Sequence, residues 1–175
     1  YGGTATQDVY DEVARRVATI GAEDVPADDA SAEIRPLDVR DAYYRHLAQL
    51  LDLDALRGLS GTLVHDAMGG AAAGWIGGFA RFAGLELEVE ELRAEADPMF
   101  HGAHPEPIPV HMGPLLRRME RPGALLGIAT DGDGDRLAAV LPGGRPVNSH
   151  EIFALLLDRR ERAGGRGRVV KTFTV

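Results

Sequence analysis

Three carboxylates, Asp131, Asp133 and Asp135, stand at alternate positions with glycine between them and Arg136 after them. On a straight strand, alternate side chains would lie roughly 6.8 Å apart, too far to share an ion. The loop must therefore curl, and Gly132 and Gly134 permit the positive φ that curling needs. Curled, it aims three hard oxygen donors at one point, which suits a hard dication such as Mg²⁺. Three carboxylates around one Mg²⁺ leave the site net negative. Arg136 can offset that charge and hold a phosphate in a planar fork. Chemistry on a phosphorylated substrate is the expectation.

Four rivals compete for the same residues. An EF-hand also opens Asp-x-Asp-x-Asp but needs Gly at its sixth position and Glu at its twelfth; here those hold Arg136 and Pro142. A phosphatase with an aspartyl nucleophile would use Asp131. A stand-alone divalent-metal module would need only the carboxylates. A solvated acidic turn explains poorly a loop of only Asp and Gly closed by Arg.

The elements that would position this loop are legible in outline. Leu125–Thr130 is apolar, short and bounded by turn residues, so it reads as a buried strand. Further strands are expected at 59–65, 85–89, 137–141 and 168–175. Val9, Val13, Val17 and Ile20 fall at helical spacing within 4–20. A second helix, capped by Asp38, should run to Leu50 with Tyr43, Leu47 and Leu50 on its apolar face. Others are expected at 71–83, at 110–120 and, capped by Asn148 or Ser149, at 151–163. Helices alternating with strands predict an α/β fold: a three-layer α/β/α domain with a mostly parallel sheet, flanked by partial α/β domains. Ligands of such sheets gather at the carboxyl ends of strands, where the acidic loop falls. The acidic, Ala-rich stretch 21–33 is broken by Pro26 and reads as a linker. The domain boundaries expected are 1–32, 33–145 and 146–175.

Composition narrows the classes. The 175 residues carry a net charge of −8, which argues against a general nucleic-acid binder. There is no cysteine, hence no disulfide frame and no thiolate metal site. No apolar run has the length of a membrane span, and the N-terminus lacks a basic-then-apolar signal, so a cytoplasmic protein without membrane partners is the expectation.

Several other residues invite a role. Lys171, the only lysine, sits in the last strand pattern, where substrate contact and plain exposure compete. His101, His104 and His111 suggest zinc, but structural zinc sites usually draw on Cys or a tighter His pairing. Pro105, Pro107 and Pro109 make that segment read as a shaped loop. Gly69, Gly70 and Gly74 fit neither dinucleotide nor Walker spacing. Close packing of a small-residue helix explains them better, with Trp75 in the core.

Taken in order, these landmarks resemble the phosphohexomutases, the family of phosphoglucomutase and phosphomannomutase. Tyr1-Gly2-Gly3-Thr4-Ala5-Thr6 is similar to the entry to the last helix of that family's first domain. Asp66-Ala67-Met68-Gly69-Gly70-Ala71 resembles its Asp-x-Met-x-Gly-Ala turn. Asp97-Pro98-Met99-Phe100 and Pro105-Glu106-Pro107 resemble the paired proline elements of its long loop, and Gly127–Arg136 matches its metal loop. The resemblance implies four domains and a phosphoserine in the first that gives and takes the phosphoryl group of a hexose phosphate. It implies Mg²⁺ on Asp131, Asp133 and Asp135, a phosphate facing Arg136, and a basic residue near the sugar where Lys171 stands. Of the serines, Ser31, Ser60 and Ser149, none sits in a Thr-Ala-Ser-His-Asn-Pro-like loop. The expectation is therefore a piece of a longer enzyme centred on its second domain, inactive alone, with the nucleophile upstream of Tyr1 and the sugar loop beyond Val175.

Overall fold

The structure, a computed structural model, describes residues 4–21 and 35–170. The chain divides into two units, Tyr1–Asp38 and Val39–Val175. In the first, helix α1 (Gln7–Val17) has acidic Asp8 in its first turn and Arg15 and Arg16 in its last, as the helix dipole favours. Most of the expected linker lies outside the described residues, as does the last strand pattern from Lys171 onward. Residues 168–170 are not in a strand.

The second unit contains α2 (Arg40–Leu50), α3 (Leu53–Arg57), β1 (Gly61–Asp66), α4 (Trp75–Phe82), β2 (Leu87–Leu92), α5 (Gly113–Met119), β3 (Ala124–Thr130), β4 (Leu137–Leu141), β5 (Arg145–Val147) and α6 (Ser149–Arg162). The five strands form one sheet in the order β2-β1-β3-β4-β5. β1 pairs in parallel with β2 and β3, whereas β4 runs antiparallel to both β3 and β5. Only β4 therefore opposes the common direction, so the sheet is mostly parallel. The expected boundary at 145/146 falls inside β5, a strand that no sequence signal announced.

Two helix layers cover the sheet. Gly127 faces α5: a Cβ there would meet Met119 Cγ at 2.9 Å and Leu115 Cδ1 at 3.0 Å, so only glycine lets the helix this close. Val64, Met68, Met112, Leu115, Met119, Ala129 and Val140 form the core on that face, each fully buried. On the other face Gly77 of α4 packs on Val89 of β2. Leu63 and His65 of β1 lie on the α4 side, because successive strand residues point to opposite faces and Val64 belongs to the α5 side. Glu90 on β2 accepts two bonds from Arg118 Nε, at 2.8 and 2.9 Å, which ties α5 to the sheet edge.

Three helix starts differ from expectation or confirm it for local reasons. α2 begins after Val39 rather than Asp38, and its buried residue is Tyr44, with Tyr43 half-exposed. Helix α4 starts at Trp75, not Ala71, because Gly74 takes φ +78° and breaks the helical path. Trp75 is half-buried, with Arg40 5.7 Å over its ring. The start of α6 is as expected: Asn148 Oδ1 accepts from Glu151 N while Glu151 accepts from Asn148 N, a reciprocal capping box. No helix among the described residues is long and apolar enough to cross a membrane.

Candidate metal and phosphate site

β3 and β4 are adjacent antiparallel strands, so the acidic loop is the closed end of a hairpin, beginning one residue past the last paired residue Thr130. Asp131 N donates to Arg136 O at 3.2 Å, and Arg136 N donates to Asp131 Oδ1 at 2.9 Å. This closure brings one carboxylate oxygen from each of Asp131, Asp133 and Asp135 within 4.8 Å of the others. Gly134 supplies the positive φ, +80°. Gly132 does not adopt a positive φ; it is needed for space, since a Cβ there would lie 3.0 Å from the Phe100 ring and 3.3 Å from Pro105.

Two further loops hold the hairpin end. The β1–α4 turn approaches from one side, where Ala71 N donates to Gly132 O at 2.9 Å. From the other comes the Pro-rich stretch, and Gly132 N donates to Pro105 O at 3.2 Å. All three follow the carboxyl ends of parallel strands, where α/β sheets place ligands.

The charges are uneven. Asp131 is 1 % exposed, while Asp133 and Asp135 are exposed. Burial alone would raise the Asp131 carboxyl; the bonds from Arg136 N and Nε, the latter at 2.8 Å, outweigh it and hold the carboxyl below its ordinary value. Asp135 is pushed above its ordinary value by the charges of Asp133 and then Asp131. Repulsion within a cluster of hard oxygens is what a bound dication relieves, so the donor set fits Mg²⁺. Arg136 reaches Asp131, has Nη1 3.4 Å from Glu106 Oε1, and lies 3.8 Å from Asp135. Its side chain is 59 % exposed, leaving it accessible to a ligand. A hollow of about 330 Å³ lined by Val39, Tyr43, Ala71, Ala72, Trp75, Asp133 and Gly134 opens beside the loop. Lys171 lies outside the described residues.

Two buried networks escaped the sequence reading. His65 is wholly buried behind the hairpin, with Nε2 3.1 Å from Thr130 Oγ1 and Nδ1 3.4 Å from Glu91 Oε1. Glu91 in turn accepts from Gly74 N at 2.8 Å, so one chain of contacts joins the acidic loop's base to the start of α4. Asp66, also wholly buried, accepts from Met68 N at 3.1 Å and from Arg93 Nε at 2.8 Å. Asp66 stood in a recognised turn; Arg93 carried no signal beyond its charge.

The family model for phosphoglucomutase/phosphomannomutase, alpha/beta/alpha domain II, matches residues 41–144. A phosphoglucosamine mutase from Saccharopolyspora erythraea is 34% identical over 161 residues, 89% of this chain and 33% of that protein. A phosphoglucomutase/phosphomannomutase from Thermococcus kodakarensis is 28% identical over 140 residues, 80% of this chain and 30% of that one. A crystal structure from Thermus thermophilus, described as a phosphomannomutase, superposes with a TM-score of 0.82 at 43% identity and covers 99% of this chain and 39% of its own. The chain spans about a third of the length of the curated relatives it matches. The residues that the family model matches contain strands β1 to β4, helices α4 and α5 and the acidic hairpin, and the chain belongs to the phosphoglucomutase/phosphomannomutase family, whose α/β/α second domain it carries.

Proposed function

We propose that this chain is the metal-binding segment of a Mg²⁺-dependent phosphohexomutase that moves a phosphoryl group between C1 and C6 of a hexose phosphate. The reading rests above all on the convergence of Asp131, Asp133 and Asp135 within 4.8 Å on a hairpin end braced from two sides. Family membership points the same way. The phosphoserine that would relay the group belongs to a part of the enzyme outside these residues.

Mg²⁺ held by the three aspartates would act as a Lewis acid on phosphoryl oxygens. The protein's own share is positioning and charge. The backbone closure between Asp131 and Arg136 fixes the donors before any ligand arrives, so little ordering remains for the moment of binding. Arg136 sets a permanent cation beside the carboxylates, where negative charge accumulates as a phosphoryl group moves. Lys171 would serve near the sugar.

A phosphatase using Asp131 as nucleophile is not favoured. That carboxylate is buried, and each of its oxygens accepts a bond from Arg136. A small cation can reach the lone pair that remains on such an oxygen, whereas attack on phosphorus needs the oxygen open to a whole phosphoryl group.

The test is mutase turnover in the intact enzyme with Asp133→Asn, assayed with glucose, mannose and glucosamine phosphates across Mg²⁺ concentrations. Activity should fall with at least one of these substrates, with a raised Mg²⁺ requirement. Unchanged turnover and Mg²⁺ dependence with every substrate would overturn the assignment.

A further inference from the structure

Donor atoms converge at a second place, on the Pro-rich stretch. His104, Glu106 and His111 each bring a ligand atom within 4.8 Å of the other two. The backbone creates this convergence. Glu106 N donates to His104 O at 2.9 Å, Ile108 N to Glu106 O at 2.8 Å and His111 N to Ile108 O at 2.9 Å. These successive tight turns wind the chain so that residues seven apart in sequence face one another. The His104 and His111 rings stack with centroids 5.1 Å apart.

The winding is anchored from inside. Arg93 Nη2 donates to His111 O at 3.2 Å, and the same guanidinium is held by buried Asp66 at the end of β1. His111 is thus fixed to the sheet through a buried charge pair. His101, the third histidine of the stretch, is engaged elsewhere: its Nε2 lies 2.9 Å from Glu95 O and its Nδ1 3.6 Å from Asp97.

Two imidazoles and one carboxylate form a different donor set from the acidic hairpin. Nitrogen donors favour borderline transition ions over Mg²⁺, and three protein ligands leave a position for water. Ligand atoms on one tetrahedral zinc stand about 3.3 Å apart when each bond is about 2.0 Å. Closing to that distance requires the His104 ring to tilt, and its side chain is 66 % exposed. The competing contact, Glu106 with Arg136 at 3.4 Å, is long and partly exposed, so it gives way readily.

We propose that His104, Glu106 and His111 form a second divalent-metal site, selective for a transition ion of the zinc class and separate from the hard-oxygen hairpin. The experiment is calorimetric titration of Zn²⁺ into the intact protein with Mg²⁺ in large excess, so that the hairpin is filled. Wild type and Asp133→Asn should both take up one equivalent of zinc under these conditions. His104→Ala, which removes an exposed side chain and leaves the core untouched, should lose it, as should the His104→Ala/His111→Ala double variant. In the wild type Co²⁺ should give the visible band of nitrogen-ligated low-coordinate cobalt, absent from both histidine variants. Zinc uptake that disappears under excess Mg²⁺ or in Asp133→Asn would place the ion on the hairpin and overturn the proposal. Wild-type uptake by the histidine variants would overturn it equally.

Discussion

In the proposed function Asp131 combines two roles. It accepts from Arg136 N and Nε, closing the hairpin, and each of its oxygens keeps a second lone pair for a metal beside Asp133 and Asp135. Replacing Asp133, which is exposed, removes a donor and leaves the closure intact. Asp133→Asn should therefore weaken Mg²⁺ binding with little change in melting temperature, and Asp131→Asn should lower both; calorimetry and thermal melts separate the two. Arg136 poses the complementary question, since it braces Asp131 while remaining exposed. If it also grips phosphate, Arg136→Lys should lower kcat and kcat/KM together at saturating Mg²⁺, because lysine keeps the charge and loses the fork. Full recovery of rate with added metal would leave Arg136 only the bracing role. The buried His65 gives a pH signature. Burial holds its pKa below the ordinary 6.5, against the opposing pull of Glu91 and Asp66. Below pH 6.5 the unfolded chain therefore binds the proton that the folded one resists, so stability falls as pH drops through that window. The urea midpoint should decline from about pH 7 to about pH 5.5, and His65→Gln should flatten the decline. An equal slope in both proteins would remove His65 from the titration. The hairpin carboxylates were legible in the sequence because they are local: six consecutive residues contain the whole pattern. His65 was not, because its partners Glu91 and Thr130 are 26 and 65 residues away.

Among the elements, the turn between β1 and α4 shows how a segment without a ligating side chain can set the site. Gly70 is buried against the acidic hairpin. A Cβ added there would lie 2.7 Å from Gly132 O and 2.9 Å from Asp131 O, both backbone atoms that cannot swing aside as a side chain would. Gly70→Ala should therefore push the hairpin and lower Mg²⁺ affinity while every carboxylate remains in place. Affinity equal to wild type would show that the hairpin tolerates the shift. The same turn explains a boundary that periodicity could not find. Apolar spacing across 71–83 reads as continuous helix, yet the chain spends Ala71–Gly74 in a turn to reach Gly132. Apolar strands and the Asn148 cap were legible because their causes lie within a few residues. The face of α2 was not, since Tyr44 rather than Tyr43 is buried by Phe79 and Phe82 of another element, with ring centroids 5.9 and 5.6 Å away.

For the molecule as a whole, the open question is where the sheet domain ends. Linker composition and the Pro142-Gly143-Gly144 turn suggest an end at residue 145, with 146–175 starting another domain. The sheet continues past that point: Ala139 pairs with Val147, Val140 with Pro146 and Leu141 with Arg145. Val147 is 7 % exposed, and Val140, paired with Pro146 of the same strand, is wholly buried. Burying one valine is worth about 1.5–3 kcal/mol, a sizeable part of the roughly 5–15 kcal/mol that a domain typically has. Ending the chain at Gly144 would also leave β4 as an open edge, with unpaired backbone donors and acceptors along its length. The capping box at Asn148 and the Arg145–Glu151 pair at 2.9 Å then carry the chain from β5 into α6. We therefore expect a fragment of residues 39–163 to melt cooperatively, and one of residues 39–144 to melt several degrees lower and to self-associate through β4. Thermal melts and sedimentation on the two fragments make the comparison. Equal melting temperatures with both fragments monomeric would return the boundary to 145/146 and make β5 an appendage of the sheet rather than its closing strand.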